Sequence, residues 1–237
     1  MLKFLICLVY FERPKMFLNA LESIRDQTYK NWRLVFIDDG STNKGRPIVE
    51  EVLKDYLDQI EFIYIEDSIE QKETQGGSRH GLFMTEAIRS STEDVFICLC
   101  DDDALLPDYL ENLNKFYTDN PNINYSYSHI IPFDPYIETY RELVDNNITR
   151  GHGLNHTHNL IPSCTVDSTQ VSYRINAFND NQLHYPQGTR NLDASIYDQL
   201  YNSLGLCPFN SITSQYKAFF SDQLGGRTNT YNVVDKQ

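Results

Sequence analysis

The stretch Val95-Phe-Ile-Cys-Leu-Cys100-Asp101-Asp102-Asp103-Ala-Leu-Leu-Pro107-Asp108-Tyr109 decides how the rest of the chain is read. Its first six residues carry no formal charge and are rich in β-formers, the pattern of a buried strand. Three carboxylates follow at the strand's C-terminal end. Pro107 then suits the first turn of a helix, where its missing N–H costs nothing. In open α/β sheets, ligands bind at the carboxyl ends of strands. Three adjacent carboxylates repel one another, and a hard divalent cation such as Mn²⁺ or Mg²⁺ relieves that repulsion. Such a metal completes its shell with water and substrate phosphates. The stretch therefore reads as a metal–diphosphate site. The plainer alternative is a solvated acidic turn ahead of a helix.

Upstream, residues 4–10 form a strand, and Pro14 leads a helix in which Phe17, Leu18, Leu21 and Ile24 recur at helical spacing. A second strand, 33–37, ends in Asp38-Asp39-Gly40-Ser41-Thr42, again carboxylates at a strand tip, with a Gly that permits a tight turn. Ile48, Val49, Val52, Leu53, Tyr56 and Leu57 stripe a second helix, and 62–65 is a third strand. A polar loop ending in Gly76-Gly77 precedes Ser78-Arg79-His80-Gly81, which opens a helix to about residue 90. Downstream, a helix spans 107–120 and a strand 123–131, with Tyr125, Tyr127 and His129 on one face. This alternation predicts an α/β fold with a doubly wound sheet and helices on both faces. It sets Tyr10, Asp38, Asp39, Asp101, Asp102 and Asp103 along one rim.

Regularity fades over 132–162, where His152, His156 and His158 cluster in what reads as a flexible acceptor-side loop. A strand is expected over 164–174, a loop at 185–188, a helix over 192–204, and a polar tail or linker after Gly225. The expected organisation is a nucleotide-binding half, 1–120, an acceptor-side half of the same domain, 121–224, and a tail, 225–237.

With 41% hydrophobic residues the chain is globular, and its net charge of −13 disfavours nucleic acid as a partner. Five cysteines, with no CxxC pair, argue against a disulfide framework or zinc site and for a reducing, cytoplasmic setting. No apolar run approaches the roughly 20 residues of a membrane span, which leaves peripheral membrane contact open.

Taken together, four motifs in order resemble the GT-A glycosyltransferases of family 2, the large inverting group with a DxD region. Glu12-Arg13-Pro14, with Leu21-Glu-Ser-Ile-Arg-Asp-Gln-Thr-Tyr29 and Asn31-Trp32, looks like that family's N-terminal signature. Ile37-Asp-Asp-Gly-Ser-Thr42 looks like its nucleotide-binding turn. Gly77-Ser-Arg79-His80-Gly81 is similar to its Ala-Arg-Asn-x-Gly segment, with His80 where Asn is usual. Cys100-Asp-Asp-Asp103 and Pro107-Asp108 look like its DxD region, with Cys100 where the first Asp usually stands. The match is good over about 2–120 and loose beyond.

The resemblance implies a mixed, mainly parallel GT-A sheet with a less regular C-terminal part. It implies a nucleotide-diphosphate sugar as donor, a glycan or other hydroxyl as acceptor, and Mn²⁺ or Mg²⁺ as cofactor. Asp38 and Asp39 would receive the nucleobase and Tyr10 would lie against it, with Glu12 on the same donor side. Arg79 would face base or diphosphate, Asp101 the ribose, and Asp102 would hold the metal, with Asp103 also on the nucleotide sugar. The base that deprotonates the acceptor would be Asp193, ahead of Asp198 and Asp180; Arg190 would be a diphosphate or acceptor contact. Asp193 is equally a helix N-terminal acid that complements the dipole. A pyrophosphorylase would want a Gly-rich basic loop after the first strand, and a redox Rossmann enzyme a GxGxxG; neither is present. A degenerate module that binds nucleotide or glycan without catalysis is the remaining alternative.

Overall fold

The structure, a computed structural model, describes residues 1–66, 79–135, 138–148, 159–160, 162, 166–186 and 192–218. Its strands are β1 (Phe4–Tyr10), β2 (Trp32–Asp38), β3 (Ile60–Tyr64), β4 (Val95–Cys100), β5 (Ala104–Leu105), β6 (Tyr125–Phe133), β7 (Val171–Arg174) and β8 (Phe209–Ala218). Its helices are α1 (Pro14–Arg25), α2 (Arg46–Val52), α3 (His80–Arg89), α4 (Tyr109–Asp119), α5 (Tyr140–Asp145), α6 (Ile175–Asp180) and α7 (Leu192–Leu204). The sheet order is β3-β2-β1-β4-β7-β6-β8-β5. The first four of these are parallel to one another. Then β7 runs antiparallel to β4 and β6, β8 lies parallel to β6, and β5 closes the edge antiparallel to β8.

Side-chain parity sorts the two faces. Phe4, Ile6, Leu8 and Tyr10 pack with Phe17, Ala20, Leu21 and Ile24 of α1 and with Leu110, Leu113 and Tyr117 of α4. Leu5 and Cys7 point the other way, onto Met84 and Ile88 of α3 and Ile196 and Leu200 of α7. Strands buried on both faces read as continuous apolar runs, which is why β1 and β4 begin and end where the sequence predicts.

Three expectations need correction. The helix after the aspartates starts at Tyr109, not at Pro107. The chain stays extended through β5, with Leu106 N–H donating to the Ser214 carbonyl (2.9 Å), and Pro107 sits in the turn that follows. Of the strand expected over 164–174, the described residues from 166 on form a strand at Val171–Arg174, because Asp167 caps a 3₁₀ turn, Ser168–Gln170, just before it. The second helix ends at Val52 and continues as a 3₁₀ segment, Lys54–Gln59. Nothing in the sequence reading anticipated α5, α6 or β8. Cys7, Cys98, Cys100 and Cys207 are free thiols. Among the described residues no helix is long and apolar enough to cross a membrane. Gly76, Gly77, Ser78, His152, His156, His158, Cys164, Gly188, Arg190, Asn191 and the tail lie outside the described residues.

Candidate active site

The strand register brings the expected rim together. Tyr10 pairs with Asp38 across β1 and β2, and Val9 with Cys100 across β1 and β4. The residues following β2 and β4 therefore flank the end of β1 at one level. Asp39 N–H donates to the Tyr10 carbonyl (3.0 Å), and Gly40, at φ 79°, reverses the chain where an L side chain would be strained.

On this side several of the expected contact residues make hydrogen bonds within the scaffold. Asp38 is buried, its Oδ1 accepting from Ser41 N–H (2.8 Å) and its Oδ2 from Gly45 N–H (3.0 Å). The Tyr10 ring is buried 4.5 Å from Phe17, and its hydroxyl donates to the Asn43 carbonyl (2.9 Å). Glu12 accepts from the backbone N–H groups of Thr42 and Asn43 and from the Asn43 amide. Burial works against its charge, but those donors prevail and hold its carboxyl below the usual range. These three residues brace the loop 41–45. Asp39 meets the start of α3 instead, with Arg79 Nη2 3.0 Å from its Oδ1 and His80 Nδ1 3.9 Å from its Oδ2.

The aspartate turn splits three ways. Asp101 Oδ2 accepts from Phe11 N–H (2.9 Å), while Arg13 Nη1 stands 3.2 Å from Asp101 Oδ1 and 2.8 Å from Asp102 Oδ2. Burial, then the charge of Asp102, pushes the Asp101 carboxyl up, against the pull of Arg13. Asp103 is fully buried and faces β8. Lys217 Nζ lies 2.9 Å from its Oδ2 and Ala218 N–H 2.9 Å from its Oδ1. Potential ligand atoms of Cys100, Asp102 and Asp103 lie within 4.8 Å of one another. A hydrogen bond with Cys98, together with burial, raises the Cys100 thiol well above its ordinary value, and a soft sulfur ligand suits a hard cation poorly. Asp102 is the carboxylate best suited to a hard cation, and one such ligand plus substrate phosphates fits Mg²⁺ or Mn²⁺.

Asp193 stands in the first turn of α7. Burial pushes its carboxyl up to about 6, with the charge of Asp167 adding to the rise and Lys217, a Ser168 hydrogen bond and His80 opposing it. His80, which stands 3.9 Å from Asp39, and Lys217, which pairs with Asp103, are thus both felt by the Asp193 carboxyl. Gly81 permits this approach: a Cβ there would lie 3.0 Å from both Leu192 Cδ2 and the Pro186 carbonyl oxygen. Asp180 and Asp198 are exposed. Sequence reasoning missed Lys217, Asp167 and the role of Arg13. A capping box, Asp167 with Gln170, was the readable signal for Asp167; Lys217 carries none.

Solved structures share this fold at low identity. Staphylococcus aureus TarS superposes with a TM-score of 0.67 at 16% identity, over 92% of this chain and 37% of that one. TarS residues 1–349 in complex with UDP-GlcNAc give 0.66 at 15%, over 95% and 62%. A mannosyltransferase of Pyrobaculum calidifontis, in complex with GDP-Man and Mn²⁺, gives 0.57 at 14%, over 90% and 54%. The fold is therefore GT-A, the mixed Rossmann-like α/β arrangement. A teichoic acid poly(glycerol phosphate) polymerase of Staphylococcus epidermidis is 28% identical over 117 residues, which are 48% of this chain and 15% of that protein. The chain thus spans only part of each of these relatives. Residues 5–176 of the 237 match glycosyl transferase family 2, and the chain belongs to that family.

Proposed function

We propose that this protein is a glycosyltransferase that moves a sugar from a nucleotide-diphosphate sugar to an acceptor hydroxyl by metal-assisted, inverting displacement. The observation that carries this reading is the strand register that sets acids following β2 and β4 on either side of the end of β1. Asp39 follows β2 beside Arg79 and His80, Asp102 follows β4, and Asp193 opens α7, where its carboxyl feels the charges of His80 and Lys217. In this reading residues 1–120 hold the donor and the part beyond carries the acceptor side. Asp39 with Arg79 receives the nucleotide's base end, on the loop that Asp38, Glu12 and Tyr10 brace. Asp101, fixed by Phe11, faces the ribose.

Asp102 would hold the cation. Bound Mg²⁺ or Mn²⁺ offsets the charge of the departing diphosphate. Asp193 takes the proton of the acceptor hydroxyl as that oxygen forms the new glycosidic bond and the bond to the diphosphate breaks. Direct displacement needs one base, and a carboxyl near 6 accepts a proton at neutral pH better than an ordinary aspartate.

UDP-GlcNAc and GDP-mannose, bound by structural relatives, are the first donors to try. The test is release of nucleoside diphosphate from a panel of UDP- and GDP-sugars with Mn²⁺, with and without glycan and polyol acceptors. Release that rises with acceptor is expected. Donor binding with no turnover on any donor would make the protein a nucleotide-binding module instead.

A further inference from the structure

Lys217 stands where separate segments of the chain converge. Its Nζ lies 2.9 Å from Asp103 Oδ2 and 3.3 Å from Asp167 Oδ1. Asp103 belongs to the turn after β4, and Asp167 caps the 3₁₀ turn before β7. Asp193, in α7, feels the charges of both Asp167 and Lys217. Further hydrogen bonds run alongside. Ala218 N–H donates to Asp103 (2.9 Å), Leu106 N–H to the Ser214 carbonyl (2.9 Å), and the Tyr197 hydroxyl to the Asp167 carbonyl (2.8 Å). The Lys217 side chain is only 15% exposed and that of Asp103 not at all. An ion pair taken out of water is a weak source of stability, and an apolar pair of similar volume often serves as well. What the charged pair adds is direction: one ammonium fixes carboxylates that arrive from different elements.

We propose that Lys217 is a positioning residue that clamps the aspartate turn carrying Asp102 to the wall carrying Asp167 and Asp193, so that leaving group and acceptor are held in register. The proposal rests on the glycosyl-transfer reading above. It gives Lys217 no contact with substrate.

Removing Lys217 alone strands a buried carboxylate, so K217M by itself is a poor probe of function. The test compares K217R, K217M and the double variant K217M/D103N in the full chain. It reads thermal stability, donor KM and kcat, and hydrogen exchange over residues 101–106 and 166–170. The double variant is expected to regain most of the stability lost in K217M. Its kcat should stay down about tenfold or more, as misplacement of reacting groups predicts, with donor KM little changed. Exchange should speed up in both segments. K217R, which keeps the charge, should recover more kcat than the double variant. A double variant with wild-type kcat, or with unchanged exchange in either segment, would overturn the proposal. A wild-type chain that turns over no donor sinks the glycosyl-transfer reading instead, and the exchange measurement still decides whether Lys217 ties the two segments.

Discussion

Arg13 spans the first two of the three carboxylates that follow β4, with one nitrogen, Nη1, 2.8 Å from Asp102 and 3.2 Å from Asp101. Burial works against the guanidinium charge, and the two aspartates more than restore it. A divalent cation at Asp102 therefore competes with a cation that the chain itself supplies. R13Q removes the competitor and leaves the carboxylates. It should bind Mn²⁺ more tightly in the absence of donor, by about tenfold if roughly 1.4 kcal/mol of competition is lost. Titration calorimetry with Mn²⁺ alone reads this directly. Weaker binding by R13Q would mean that Arg13 shapes the turn and does not contest the site.

The proton-accepting role of Asp193 predicts both a variant and a pH profile. Its raised carboxyl must be ionised to act, so transfer should fall as pH drops through about 6. With a dication bound nearby, that limb moves somewhat lower, because positive charge favours the carboxylate. D193N should leave donor binding intact and lower transfer by about 10²- to 10⁴-fold, the usual range for a general base. Donor binding by fluorescence or calorimetry, set against transfer rates from pH 5 to 8, separates the two effects. Normal transfer by D193N would move the base elsewhere, with Asp167 the next residue to substitute.

These two sites differ in how far the sequence revealed them. The rim was legible because β1 and β4 are uninterrupted apolar runs, β2 is apolar from Leu34 to Ile37, and charge marks where β2 and β4 end, so Asp39 and Asp102 fall at strand tips by counting. Parity along β1 also carried the fate of Tyr10, which shares a face with Phe4, Ile6 and Leu8 and so turns into the core. Asp38, Glu12 and Asp103 look like ligand contacts in one dimension. The structure gives their oxygens to Ser41, Gly45, Thr42, Asn43, Lys217 and Ala218. No local pattern tells a carboxylate that grips a ligand from one that grips a loop. Lys217 was out of reach for a further reason. Its partner Asp103 is 114 residues away, and β8 is a polar strand interrupted by Ser211 at φ 62° and by shifts in its pairing with β6.

Away from the cleft, Glu93 predicts how the fold responds to acid. Its side chain is 2% exposed and receives Arg33 through both carboxylate oxygens (3.1 and 3.2 Å), with Lys3 at 3.1 Å. Burial alone would raise this carboxyl, but Arg33, Ser91 and Lys3 bring it from 4.5 down to about 2. A carboxyl lowered by folding contributes its full stability above the unfolded value and loses it as pH falls from about 4.5 towards 2. The contribution at neutral pH is up to about 3 kcal/mol, less what solvent screens at the exposed Lys3 end. E93Q should therefore be less stable than wild type by roughly 2–3 kcal/mol at pH 7, with the gap closing towards pH 2.5. Urea unfolding at pH 7, 4 and 2.5 checks it. A gap that does not change with pH would mean that the packing of the neutral glutamine amide, and not loss of ionisation, sets the difference at position 93.

Gly81 offers a way to move the base without touching it. A Cβ at this position would stand 3.0 Å from Leu192 Cδ2, 3.0 Å from the Pro186 carbonyl oxygen and 3.1 Å from Tyr185 Cβ. Leu192 can rotate, but the backbone oxygen of Pro186 gives way only if its segment shifts. G81A should thus push the start of α7 away from α3 by a few tenths of an ångström and carry Asp193 with it. Ala favours helix over Gly by up to about 1 kcal/mol, which offsets part of the crowding, so the loss of stability should be small. Transfer is more sensitive to such a displacement than folding is, because the proton must pass at hydrogen-bond distance. The expected result is a kcat lowered about tenfold or more, with donor affinity and melting temperature close to wild type. Equal losses in kcat and donor affinity would show instead that α3, with Arg79 and His80, had moved and that α7 had held its place.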